Sequence, residues 1–164
     1  MILGMTPLTF IHVLLSLVGI ATGILVVFQM IGGKRLGGLN TIFLATTILT
    51  SVTGYFFPIT KVTPGIIIGA ISLVVLAVAI LARYAMHLAG AWRWIYVVCA
   101  AVALYFNVFV LIVQAFMKVP ALKALAPTQK EPPFLVVQLF VLALFIGLTI
   151  LAAKRFRIGS VQTA

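Results

Sequence analysis

Residues 9–31, TFIHVLLSLVGIATGILVVFQMI, decide the fold. The run holds no Asp, Glu, Lys or Arg and stops against Gly32-Gly33-Lys34-Arg35. A hydrocarbon core about 30 Å thick needs about 20 apolar residues of helix, so this run is long enough to cross one. It must be helical, because hydrocarbon offers backbone N–H and C=O groups no partner outside the segment itself. No basic residue precedes it and two follow at once, unlike a cleaved leader. We read it as a retained first helix that enters with its N-terminus outward.

Four further runs repeat the pattern at 41–57, 64–82, 94–117 and 133–153. Pro58 ends the second, and Thr63-Pro64 opens the third as an N-cap followed by proline at N1. Arg93 and Lys118 bracket the fourth, and Lys154-Arg155-Phe156-Arg157 closes the fifth. The sequence therefore predicts an all-α, polytopic integral membrane protein, a compact bundle of five transmembrane helices. Residues 1–164 form a single transmembrane domain, with no separate soluble domain. Composition points the same way: 65% hydrophobic and 7% charged residues, against about 45–50% and about 25% in soluble domains.

One acidic residue, Glu131, faces eleven Lys and Arg, a net charge of +10. In a soluble chain that balance would suggest nucleic acid; here the cations sit at helix ends, where they meet anionic headgroups instead. With the N-terminus out and the C-terminus in, Lys34, Arg35, Arg83, Arg93, Lys154, Arg155 and Arg157 lie inside, as contacts for anionic lipid. Lys61, Lys118, Lys123 and Lys130 lie outside. Trp92, Trp94, Tyr84 and Tyr96 fit an inner aromatic belt. The outer stretch 118–133 carries Pro120, Pro127, Pro132 and Pro133 and reads as stiff rather than helical. Glu131 precedes the last helix, where a negative charge complements the helix dipole.

Polarity inside the runs survives only as hydroxyls, amides and one histidine. At 1.5 Å of rise per residue, His12, Tyr55, Gln114 and Gln138 fall about one turn below the outer interface. Thr22, Thr46, Thr50, Ser51 and Asn107 form a second layer near the middle, with the helix-two threonines as the expected partners of Asn107. His12, Ser16, Gly19 and Gly23 share one helical stripe. Gly19 with Gly23, and Gly65 with Gly69, are GxxxG pairs of the kind that let membrane helices approach closely.

These residues limit the chemistry. A single carboxylate without a second acid, base or metal partner makes no catalytic constellation, so we expect no enzyme, no cofactor and no metal. A haem would need two axial ligands at one depth, whereas His12 and His87 fall at opposite membrane faces. The favoured reading is a non-enzymatic subunit or interaction partner in a membrane assembly, as a homo-oligomer or within a larger complex, in the bacterial cytoplasmic (inner) membrane. The alternative is a transporter or a small-molecule- or lipid-binding protein with a neutral polar pocket of His12, Tyr55, Asn107, Gln114 and Gln138. A haem-binding redox protein, with His12 pairing across a dimer, is a third.

Overall fold

The structure, a computed structural model, describes residues 6–58 and 63–157. Those residues form six helices: α1 (Pro7–Ile31), α2 (Gly38–Gly54), α3 (Pro64–Ile80), α4 (Trp92–Lys118), α5 (Pro120–Leu125) and α6 (Pro132–Arg155). A π-helical turn, Leu81–Ala85, prolongs α3. Four of them (α1, α3 with its π turn, α4 and α6) are long and apolar enough to cross a membrane, which makes this a multi-pass membrane protein. At most 33% of each most apolar stretch is buried inside the protein. Water could not solvate the apolar remainder without large cost, whereas acyl chains can.

The helix ends follow from local chemistry. Thr6 caps α1, its hydroxyl accepting the Thr9 N–H at 3.3 Å, and Pro7 occupies N1, where its missing N–H costs nothing. Proline does the same for α3, α5 and α6. In the 118–133 stretch this overturns the expectation of a non-helical connection, because Pro120 starts the short α5. The helix α2 has 17 residues, about 26 Å of rise, which leaves it short of the other four. It begins before residue 41, at Gly38, and ends before residue 57, at Gly54, where Tyr55 and Phe56 turn back onto Val52 O and Thr53 O.

The helices α1, α2, α3, α4 and α6 assemble with α4 as the hub. It meets α1, α2, α3 and α6, while α1 also packs on α2 and α6, and α2 on α3. The ends of α1, α3 and α6 lie together with the starts of α2 and α4, and this is the end that carries most of the cations. There Arg83 Nη2 donates to Leu36 O at 2.9 Å and Arg93 Nη1 donates to Phe156 O at 2.6 Å. At the opposite end Tyr55, just past α2, donates through its hydroxyl to Ile66 O in the first turn of α3 at 2.9 Å. The helix α2 therefore extends from beside the start of α4 at the basic end to the first turn of α3. Lys61, read as an outer cation, lies outside the described residues.

Packing is uneven along the bundle. The main core joins Val26, Met30, Phe43, Leu76, Tyr96, Val97, Leu104 and Ala152, all in the half nearer the basic end. Leu88 belongs to it too, and that explains a strained turn: His87 and Leu88 hold φ of 50° and 58°, unfavourable for side chains with a β-carbon. The far end has only a small satellite of Phe116, Ala126 and Phe134, with the two phenylalanine rings edge-to-face at 5.3 Å.

On α1, a β-carbon at Gly23 would lie 2.6 Å from Leu104 Cδ1 and 2.8 Å from the Phe43 ring. One at Gly147 on α6 would meet nothing within 4 Å. Gly23→Ala is expected to destabilise the bundle by about 1–3 kcal/mol through overpacking. Gly147→Ala should be neutral or stabilise by up to about 1 kcal/mol through helix propensity. Thermal unfolding of the two variants in one detergent checks the contrast.

Candidate functional site

Several polar side chains of the membrane interior bond across helix contacts. Between α1 and α2, His12 Nδ1 lies 2.9 Å from Thr53 Oγ1. The Thr53 hydroxyl already donates to Leu49 O at 2.7 Å, so the imidazole is the donor and carries its proton on Nδ1. Phe57 meets the same ring edge-on at 5.2 Å. Between α1 and α4, Ser16 Oγ donates to Asn107 Oδ1 at 3.3 Å. Between α4 and α6, Gln138 Nε2 donates to Phe109 O at 3.3 Å.

The five residues of the predicted outer pocket are thus distributed over separate contacts. His12 faces α2, Tyr55 faces α3, Gln138 faces α4 and Asn107 faces α1, while Gln114 is exposed. Gln114 lies one turn from the end of α4, where an amide reaches the interface by itself. The threonines of α2 do not partner Asn107. Thr46, Thr50 and Thr53 each bond a carbonyl one turn back in their own helix, at 2.7, 2.8 and 2.7 Å, the usual local satisfaction of a mid-helix threonine. Thr22 and Thr149 do likewise.

Glycines decide how closely these groups approach. A β-carbon at Gly19 would lie 3.1 Å from Thr47 Oγ1, 3.2 Å from Thr46 Oγ1 and 3.3 Å from Asn107 Nδ2. Bare backbone at Gly19 lets two helices bring polar atoms against α1 at mid-depth. Gly69 receives Tyr55, whose hydroxyl would lie 3.4 Å and nearest ring carbon 3.6 Å from a notional β-carbon. Gly65 instead lies nearest its own cap, Thr63 Oγ1 at 3.7 Å.

The most buried polar pair escaped sequence reasoning. Asn40 and Tyr96 are both 0% exposed, and the Tyr96 hydroxyl donates to Asn40 Oδ1. Tyr96 is therefore a core residue and not part of an aromatic belt; Tyr84 and Trp94 remain exposed. Asn40 sits next to a glycine-rich turn and reads as loop from the sequence. A signal was present, since Asn40, Phe43, Leu44 and Thr47 follow i, i+3, i+4, i+7 and mark one buried face of α2. Nearby, Tyr84 shares a 3.3 Å bond with Thr41 and lies under the Arg83 guanidinium, 5.3 Å from its ring centre.

Glu131 is the N-cap residue of α6, yet its carboxylate turns away from that helix. Oε1 accepts from the Thr128 hydroxyl at 2.7 Å and the Thr128 N–H at 3.1 Å, and Oε2 accepts from the Lys130 N–H at 3.0 Å. These bonds, the Thr128 side chain first, hold its carboxyl below the ordinary carboxylate range. The acid thus closes a turn. Gln129 within that turn takes φ of 60° and donates from Nε2 to Val113 O at 3.0 Å, fastening the loop to α4. Among the described residues no three His, Cys, Asp or Glu gather to hold a metal, and His12 and His87 lie at opposite ends of the bundle.

Tyr96→Phe strands the Asn40 amide and is expected to cost about 1–3 kcal/mol. Adding Asn40→Leu should recover part of that loss, because no orphaned amide remains; unfolding of both variants measures the coupling. For Glu131 the bound form is the anion, so its contribution is complete above the ordinary carboxylate range. It should be lost as pH falls through the lowered value. Protection of the Thr128 and Lys130 amides from hydrogen exchange should fall in acid, and Glu131→Gln should lose it at neutral pH. No known protein family, curated protein or solved structure matches this chain.

Proposed function

We propose that this protein is a non-enzymatic subunit of a membrane assembly, a compact five-crossing bundle with its N-terminus outside and its C-terminus in the cytoplasm. The observation that supports it most is the use of the interior polar groups. They tie α1 to α2, α2 to α3, α1 to α4, α2 to α4 and α4 to α6, one bond per contact. Side chains spent in this way hold helices together and do not converge on a reacting atom.

The remaining features suit a body that meets neighbours in the bilayer. Val136, Leu139 and Phe140 on α6 are each more than 60% exposed, and they are large and apolar. A fifth crossing is supported by α2, which joins the basic end at Asn40 and Thr41 to the far end at Thr53 and Tyr55. Cytoplasmic placement of the basic end follows the usual enrichment of Lys and Arg on that side, as in a bacterial inner membrane. Lys34, Lys154 and Arg157 lie exposed there and suit anionic headgroups.

Two experiments test the proposal. Mild-detergent extraction of tagged protein at native level should recover a stoichiometric partner or a homo-oligomer; a lone monomer overturns the assembly reading. In a Cys99→Ala background, single cysteines at Lys34 and His87 should label from the same face, and one at Lys130 from the other. Opposite labelling of Lys34 and His87 overturns the fifth crossing.

A further inference from the structure

Two basic runs from opposite ends of the chain meet at one corner of the bundle, where α1 packs on α6. They are Lys34-Arg35 after α1 and Lys154-Arg155-Phe156-Arg157 at the end of α6. Both are fixed in place. The end of α1 closes as a Schellman turn: the Lys34 N–H bonds Gln29 O at 2.9 Å, the Gly33 N–H bonds Met30 O at 3.1 Å, and Gly33 takes φ of 65°. A β-carbon at Gly33 would lie 3.8 Å from Arg155 O, so this turn rests against the second run. On α6, Ala152, Ala153 and Phe156 are buried in the main core, and Arg93 Nη1 donates to Phe156 O at 2.6 Å. That anchorage sets the rotation of the helix end and leaves Lys154, Arg155 and Arg157 exposed.

No acid of this chain answers these charges. Glu131 is the one Asp or Glu of the sequence, and it caps the opposite end of α6. The 24 residues of that helix put it about 36 Å away, several times the Debye length of about 8 Å. The side chains of Lys34, Lys154, Arg155 and Arg157 are exposed and have no hydrogen bond or ion pair among the described residues. Within about three turns of these cations, Leu25 and Phe28 on α1 and Ile150 and Leu151 on α6 are large, apolar and exposed. The corner thus joins a concentration of positive charge to flanks that acyl chains can cover. A soluble anion or an acidic protein segment would meet the charge and leave the flanks bare. We propose that this corner binds a lipid whose headgroup carries two phosphates. One phosphate sits at the Lys34 turn and the other on the Arg155 and Arg157 guanidiniums, whose planar forks match phosphate oxygens. A lipid with one phosphate answers one run and leaves the other unneutralised. This rests on the headgroup contact stated above, and on neither the assembly nor the face at which the basic end lies.

The test uses the full chain in a neutral detergent, with lipid retention read by native mass spectrometry. The probes are cardiolipin, with two phosphates and four chains, phosphatidylglycerol, with one phosphate, and inorganic pyrophosphate, with two phosphates and no chains. One cardiolipin per chain is expected, held about tenfold more tightly than phosphatidylglycerol; pyrophosphate should neither bind nor displace it. Lys34→Gln should weaken cardiolipin binding about fivefold, and Arg155→Gln with Arg157→Gln about 25-fold, at about fivefold per cation. Lys123→Gln with Lys130→Gln removes as much charge at the other end and should leave binding unchanged. Thermal unfolding reports whether each variant folds, and the Lys34→Gln arm decides the matter if the arginine pair does not. Phosphatidylglycerol held as tightly as cardiolipin overturns the two-phosphate site and leaves the headgroup contact standing; retention of neither lipid overturns both. Pyrophosphate bound as tightly as cardiolipin assigns the corner to a soluble anion and overturns the lipid. So does equal loss in the Lys123 and Lys130 variant, or a protein partner that must be stripped from the corner before cardiolipin binds. A lone monomer, or cysteine labelling that contradicts the crossing count, changes none of these outcomes, so the readings fail separately.

Discussion

Hydrocarbon provides no hydrogen bonds, and the arrangement of this bundle follows from that constraint. Helices answer it for the backbone; the side chains answer it one contact at a time. The Tyr96–Asn40 bond sets where α4 meets α2, His12–Thr53 where α1 meets α2, and Gln138 where α6 lies on α4. Each bond is worth little alone, about 0.6 kcal/mol on average in membrane helices. Their value lies in specificity, because apolar faces bathed in lipid select few neighbours while an unpaired amide excludes most of them.

The glycines and arginines do complementary work. Gly19 and Gly23 remove bulk at the places where α2 and α4 reach α1, so polar atoms and the Phe43 ring sit close to the backbone. Arg83 and Arg93 bind Leu36 and Phe156 carbonyls at the basic end. Two of the seven cations assigned to the inner face therefore also fasten the chain: Arg93 at the C-terminal end of α6, where a cation complements the exposed carbonyls, and Arg83 on the turn before α2. The half they close is well packed, while the opposite half is held by the small Phe116–Ala126–Phe134 satellite and by single bonds such as His12–Thr53, Tyr55–Ile66 and Gln129–Val113.

Much of this was legible in the sequence. Apolar runs located every long helix, since the hydropathy signal is strong and bilayer thickness sets its length. Prolines marked the start of α3 and, to within one residue, that of α6. Partnerships were harder to read. Depth placed His12, Tyr55, Gln114 and Gln138 in one layer, but depth is one coordinate of three, and rotation about each helix axis sends them to different neighbours. The threonines looked available to Asn107 because spacing does not reveal that a mid-helix hydroxyl bonds its own backbone. Asn40 was hidden by the glycines beside it, which read as loop although α2 begins among them. The π turn after Ile80 has no sequence signature that we can identify; the burial of Leu88 accounts for the strained turn that follows it.

The span between Asn40 and Tyr96 also has a temporal meaning. The two are separated by 56 positions in the chain, so a ribosome adding about 5–20 residues per second makes the second roughly 3–11 s after the first. His12, by contrast, precedes Thr53 and is already made when α2 emerges. The short, threonine-rich α2 therefore emerges beside a finished α1 that can pair its Thr53 end, while Asn40 has no partner until α4 is made. Synthesis makes both partners of the α1–α2 contact available well before the Asn40–Tyr96 bond can close.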